Sequence, residues 1–203
     1  MRLVDTLARP RWTWRRALGA LALAVVLAVA EAAIGSEPVE VERVDAAILR
    51  LLQRGLPAHD IGPWPRHPVA LDATQRRELA EAVVEAGAAH GVDPYLLTAI
   101  AFREGSFLRS GVGNLGEVST FQMIPTTARY AARLDGRCST EDGYHGSARC
   151  AAALLAHWRE HRCGSLEGAL SYYASGRTCR PDTNRLRWIV RDRFGIAQRL
   201  ARL

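Results

Sequence analysis

The chain contains no lysine; all 27 of its basic residues are arginine. Alongside the abundant alanine, this reads as a compositional bias and selects no function. Also missing is any short C-x-x-C unit, which a structural zinc site normally uses. There is no G-x-S-x-G and no G-x-x-x-x-G-K-[ST] phosphate loop, so a serine-hydrolase elbow and a P-loop are both excluded. No stretch alternates apolar and polar residues convincingly, which argues against a β architecture. No internal repeat appears. No apolar run reaches the roughly 20 residues that a spanning helix needs.

A strong basic patch is missing too. The formal net charge is +6, but residues 1–30 hold five Arg and one Asp, which leaves only about +2 for the rest. A nucleic-acid binder concentrates positive charge in its folded part, so no nucleic-acid partner is expected.

The arginines at the start belong to another pattern. "MRLVDTLARPRWTWRR" is basic, Ala17–Ala30 is an apolar run of 14 residues, and Ala28–Ala30 offers small residues for cleavage. These are the three parts of a secretory signal peptide. Residues 1–30 are therefore expected to direct export to the periplasm, as a cleaved signal or as an inner-membrane anchor. The four cysteines, Cys138, Cys150, Cys163 and Cys179, agree with export, where an even number reads as disulfides. A helix over 146–161 separates Cys150 from Cys163 by roughly 20 Å, beyond the ~7 Å limit for bridged Cα atoms. Cys138–Cys163 spans nearly the same helix. Elimination leaves Cys138–Cys150 and Cys163–Cys179.

The remaining chain reads as mainly α. Val41, Val44, Ile48, Leu51 and Leu52 predict a helix over 38–56. "PAHDIGPWPRHP" (57–68) reads as a linker, so residues 31–70 form a helical and proline-rich extension before a domain at 71–203. Asp72 or Thr74 caps a helix to about Ala89, stopped by Gly91, whose Glu78, Glu81 and Glu85 share a face expected to be solvated. Asp93 and Pro94 start the next helix. A loop covers 105–118, Pro125 opens another helix, and Asp135–His145 is a loop. Helices follow at about 146–161, 165–175 and 183–201. The last, with arginines from Arg185 to Arg202 set among Leu186, Ile189, Val190, Phe194 and Leu200, reads as an amphipathic helix docked on the domain.

One carboxyl is out of place. Leu97, Ile100 and Glu104 fall at i, i+3 and i+7, which puts Glu104 on an apolar helix face. Burial there disfavours the charged form, as a general acid requires. Gly105 is expected to leave the backbone open to a ligand, and Phe107 to wall a pocket. Arg103 and Arg109 are the nearest cations able to pair with Glu104. His157 and His161 stand at i, i+4, but Trp158 occupies the position where a zincin has its glutamate, so no metal is expected.

Four blocks then occur in order: "HGVDPYLLTAIAFREGSF", "GEVSTFQMIPTTA", "DGYHG" and "SYYASG". Over roughly residues 75–180 this set resembles the soluble lytic transglycosylase domain, glycoside hydrolase family 23, related to goose-type lysozyme. The chain departs from that pattern at Gly105 (serine in the family), Asp142 (asparagine) and Ala174 (asparagine). In the glycine-leucine-methionine-glutamine block, only Gln122 is kept.

The resemblance implies a lysozyme-like helical fold and cleavage of peptidoglycan strands between N-acetylmuramic acid and N-acetylglucosamine. Glu104 would act as the sole acid and then base. Gln122 and Tyr173 would bind the sugar, with Ser106, Phe107, Phe121 and Glu117 as further groove residues. Of the tyrosine pair, Tyr172 is expected to be the core member. No cofactor and a monomer are expected. A hydrolytic muramidase, a degenerate glycan-binding module and a component of cell-envelope or secretion machinery remain open alternatives.

Overall fold

The computed structural model describes residues 38–53, 70–114 and 116–203. The apolar run and the proline-rich segment lie outside them. Within the described residues the protein is mainly helical. Residues 38–53 form α1. Then come α2 (Ala73–His90), α3 (Pro94–Gly105), α4 (Pro125–Leu134), α5 (Gly143–Trp158), a π-helical turn (Arg159–Cys163), α6 (Leu166–Ser175) and α7 (Asn184–Leu200). Among the described residues no helix is long and apolar enough to cross a membrane.

The helix boundaries follow local chemistry. Asp72 caps α2, with Gln75 closing a reciprocal capping box, and Gly91 ends it with a left-handed φ of 62°. Asp93 accepts from the Tyr95 N–H, and Pro94 takes the first position of α3, where its missing N–H costs nothing. Ser165 and Thr183 cap α6 and α7 in the same way.

Helix α5 is the centre. It packs on α2, α4 and α6, while α3 packs mainly on α7 and α2. Its run of Ala148, Ala151, Ala152 and Ala153 is buried, and these small side chains let its neighbours approach. The helix read as part of an extension joins the same core through Val41, Val44, Ala47, Ile48 and Leu51. Its Asp45 pairs with Arg76 of α2 at 2.6 Å.

The acidic face of α2 is not simply solvated. Glu78 pairs with Arg109 at 2.7 Å, which ties α2 to the chain just past α3. Glu85 meets Arg149 and His145 of α5. Only Glu81 stays within its own helix, pairing with Arg77. Arg149 also binds Asp135, which accepts from His90 and the Arg137 N–H.

Two disulfides are formed, Cys138–Cys150 and Cys163–Cys179, the pairs that elimination left. The first joins the loop after α4 to α5. The second joins the π-helical turn to the segment between α6 and α7. Each closes a short loop, and a loop of that length contributes about 3 kcal/mol by restricting the unfolded chain. Reduction is expected to lower the melting temperature by about 10 °C or more. Thermal unfolding with and without reductant checks this, and an unchanged midpoint would contradict it.

Candidate active site

Glu104 occupies the last turn of α3 and faces a groove of about 1190 Å³. The groove also takes in Glu117 and Gln122 from the loop before α4, Tyr130 of α4, and His157 and Trp158 at the end of α5. The π-helical turn adds His161 and Arg162, α6 adds Tyr172 and Tyr173, and α7 adds Arg185, Ile189 and Arg193. Residues far apart in sequence therefore meet on one concave surface, as binding sites require.

The carboxylate of Glu104 is paired, though not with a nearby arginine. Arg193 of α7 donates to its Oε1 at 2.5 Å; Arg193 is almost wholly buried and Glu104 is 18% exposed. Arg103 instead binds Asp192 through two bonds of 2.7 and 2.5 Å, and Arg109 is committed to Glu78. Arg193 escaped the sequence reading although a signal existed. It stands three residues after Val190 and four after Ile189, on the buried stripe of α7. It is an opposite charge placed as anomalously as Glu104 itself.

The other predicted residues separate into two groups. Gln122 and Glu117 reach the groove together. Gln122 Nε2 donates to Ser119 O at 2.8 Å and to Gly111 O at 3.4 Å, so the amide is anchored on its own loop. A Cβ on Gly113 would sit 2.5 Å from Gln122 Oε1 and 2.4 Å from Glu117 Oε2, so both side chains lie over that glycine. Tyr173 lines the groove, and so does Tyr172, which was expected in the core; both are half-buried. Ser106, Phe107 and Phe121 do not line it. Phe107 and Phe121 have no exposed surface and pack into the core. Ser106 is the left-handed cap of α3.

Backbone geometry accounts for this division. Four non-glycine residues adopt a left-handed φ: Ser106 (49°), Phe107 (65°), Ser119 (69°) and Gln122 (47°). The first two turn the chain inward at the end of α3, so Phe107 points into the core. The second two bracket a four-residue turn that Val118 and Met123 close with reciprocal bonds of 2.9 and 3.0 Å. The two turns meet at Gly105. It is not open to a ligand, because a Cβ there would lie 2.3 Å from Thr120 O. Glycine stands at this position because another backbone occupies the space.

Two phenols tether these strained turns. Tyr144 donates to Phe107 O and Tyr173 to Phe121 O, each at 2.8 Å. Burial pushes the Tyr144 phenol up to about 12, with Glu78 and Asp72 adding to the rise and Arg109 opposing it. Burial also holds Tyr173 well above the ordinary value, helped by the Glu104 carboxylate and opposed by Arg193. Both phenols are therefore neutral donors at physiological pH. Elsewhere on the wall, His157 Nε2 contacts the Tyr130 hydroxyl at 2.7 Å, and the His161 ring lies 4.7 Å from that of His157. Among the described residues no group of three or more His, Cys, Asp or Glu side chains is arranged to hold a metal.

Compared with known family models and with curated proteins, the chain matches none.

Two outcomes follow from this geometry. Gly105→Ser is expected to cost about 1–3 kcal/mol, because the obstructing atoms are backbone and cannot swing aside. Chemical denaturation measures this, and unchanged stability would show that the turns can part freely. Both tyrosines have raised folded values, so the stability they contribute is fully present below the ordinary 10.0 and is lost as pH rises through the folded value, about 12 for Tyr144 and shifted in the same upward direction for Tyr173. Alkaline denaturation should show that loss over this range, and Tyr144→Phe should reduce its steepness.

Proposed function

We propose that the protein is an exported, lysozyme-like peptidoglycan lytic transglycosylase acting in the periplasm. The observation that carries this reading is the convergence of Glu104, Gln122 and Tyr173 on one groove, in the order that the resemblance implies. The two disulfides support an oxidising compartment.

The chemistry uses one carboxyl. Glu104 protonates the glycosidic oxygen between N-acetylmuramic acid and N-acetylglucosamine. The acetamido oxygen of the muramoyl sugar stabilises the anomeric carbon as the bond breaks, an alternative to a second carboxylate. Glu104, now ionised, takes the proton of the 6-hydroxyl of the same sugar. That oxygen closes on the anomeric carbon and leaves a 1,6-anhydromuramoyl end. The nucleophile is already part of the substrate, so its orientation is prepaid. Gln122 orients the sugar from a fixed amide. Tyr173 offers an aromatic edge, and its hydroxyl braces the Gln122 turn through Phe121 O.

Glu117 favours one second reading. A further carboxylate beside Gln122 could direct a water molecule to the anomeric carbon and make the enzyme a hydrolytic muramidase. Product mass separates the two, because anhydro products are lighter by one water. Digestion of purified sacculi should release anhydromuropeptides, and Glu104→Gln should lower the rate at least 1000-fold, on the order of losing an essential acid–base group. Reducing ends on every product would favour the hydrolase. Full activity in Glu104→Gln would overturn both readings.

A further inference from the structure

The charges in the groove are not evenly answered. Glu104 is neutralised by Arg193. Arg162 and Arg185 also line the groove, yet among the described residues neither has a carboxylate partner. Arg162 sits on the π-helical turn, a local widening of the helix that frequently marks functional sites. Arg185 is in the first turn of α7.

A disulfide ties the Arg162 turn to the segment that precedes α7. Cys163 immediately follows Arg162, and its partner Cys179 lies in the segment leading into α7, with the Cα atoms 5.3 Å apart. The Arg162 guanidinium carbon lies 4.3 Å from the centre of the Tyr172 ring. A cation held on an aromatic face gives up some of its conformational freedom beforehand, while its N–H donors remain able to grip a planar anion. The wall thus presents two uncommitted guanidinium groups to the groove, one of them preorganised.

The geometry points to a carboxylate-binding subsite at this wall, formed by Arg162 stacked on Tyr172 and by Arg185, through which the groove takes acidic glycan strands in preference to neutral ones. This rests on the proposed function for the identity of the ligand. On a peptidoglycan strand the carboxylate comes from the peptide where a peptide is attached, since the lactyl carboxyl is then an amide, and from the free lactyl group where the peptide has been removed. A planar carboxylate suits both sources, since a guanidinium donates two parallel bonds to it.

Binding tests this apart from turnover. Glu104→Gln protein would be titrated with three soluble probes of equal sugar count: peptide-bearing strands, the same strands stripped by an amidase, and neutral chitooligosaccharides. Both acidic probes are expected to bind more tightly than the neutral one. Adding Arg162→Ala and Arg185→Ala should weaken acidic binding roughly fivefold or more and leave neutral binding unchanged. The difference should fade near 1 M salt, where screening acts within ~3 Å. Discrimination confined to stripped strands assigns the lactyl carboxylate, discrimination confined to peptide-bearing strands assigns the peptide, and discrimination on both shows that the subsite accepts a carboxylate from either.

Equal binding of all three probes, or equal losses in the double variant, would overturn the subsite. Both arginines are exposed, so a melting curve matching the parent excludes misfolding as the cause. Cleavage without charge discrimination removes the subsite and leaves the proposed function standing. Absence of both binding and cleavage removes the proposed function and the subsite with it.

Discussion

Two adjacent charges on α3 cross with two adjacent charges on α7. Arg103 binds Asp192, and Arg193 binds Glu104. The four formal charges sum to zero and all are largely buried. Taking such groups out of water costs several kcal/mol per ion, and removing any one would leave a partner buried and unpaired at about 3–5 kcal/mol. The crossing therefore constrains more than it stabilises. It fixes how α7 is rotated against α3, because slippage or rotation of either helix would separate both pairs at once. Arg185 and Ile189 lie on the same helix as Arg193 and share its groove face. The ion pairs that place Glu104 thereby also place much of one wall.

The loop side is held by a different device. Each left-handed non-glycine residue costs on the order of 1–3 kcal/mol and persists only where its surroundings enforce it. Here the surroundings can be named. Tyr144 and Tyr173 hold Phe107 O and Phe121 O, Thr120 Oγ1 donates to Leu108 O at 2.6 Å, and Gln122 Nε2 folds back to Ser119 O. Most of these bonds reach carbonyls that no helix satisfies, so they meet a requirement that buried backbone imposes anyway. Gln122 is presented to the groove by a turn that its own side chain helps to close.

Periodicity and capping made most of the helices legible in the sequence. Asp72, Gly91, Asp93 and Pro94 mark ends that the structure keeps, and helical separation of the cysteines was enough to choose the disulfides. The odd position of Glu104 was legible for the same reason. Its partner was not, because proximity in sequence favoured Arg103 and Arg109, while the actual cation lies 89 residues away. Only matching anomalies, a charge on the buried stripe of each of two helices, could have joined them. Phe107 and Phe121 were misplaced for another reason. Their directions depend on left-handed turns at serine, phenylalanine and glutamine, residue types that do not announce such a φ. Gly105 was misread because close approach by a remote backbone leaves the same trace in sequence as an open ligand site.

The ion pair also bears on how one carboxyl can serve twice in the proposed reaction. Arg193 holds Oε1, and among the described residues Oε2 has no hydrogen bond. The two oxygens are thus unequal. Oε1 anchors the side chain to a guanidinium that is itself fixed by packing and by a bond to Ile189 O. Oε2 is left to exchange the proton. In the proposed reaction the clamp at Oε1 keeps the group from rotating while Oε2 gives and takes the proton. The same oxygen then faces first the glycosidic oxygen and afterwards the 6-hydroxyl, without reorganisation between them. Preorganisation of that kind lowers a barrier only when the supporting atoms are rigid. That rigidity is the role the buried Arg103–Asp192 pair plays beside Arg193.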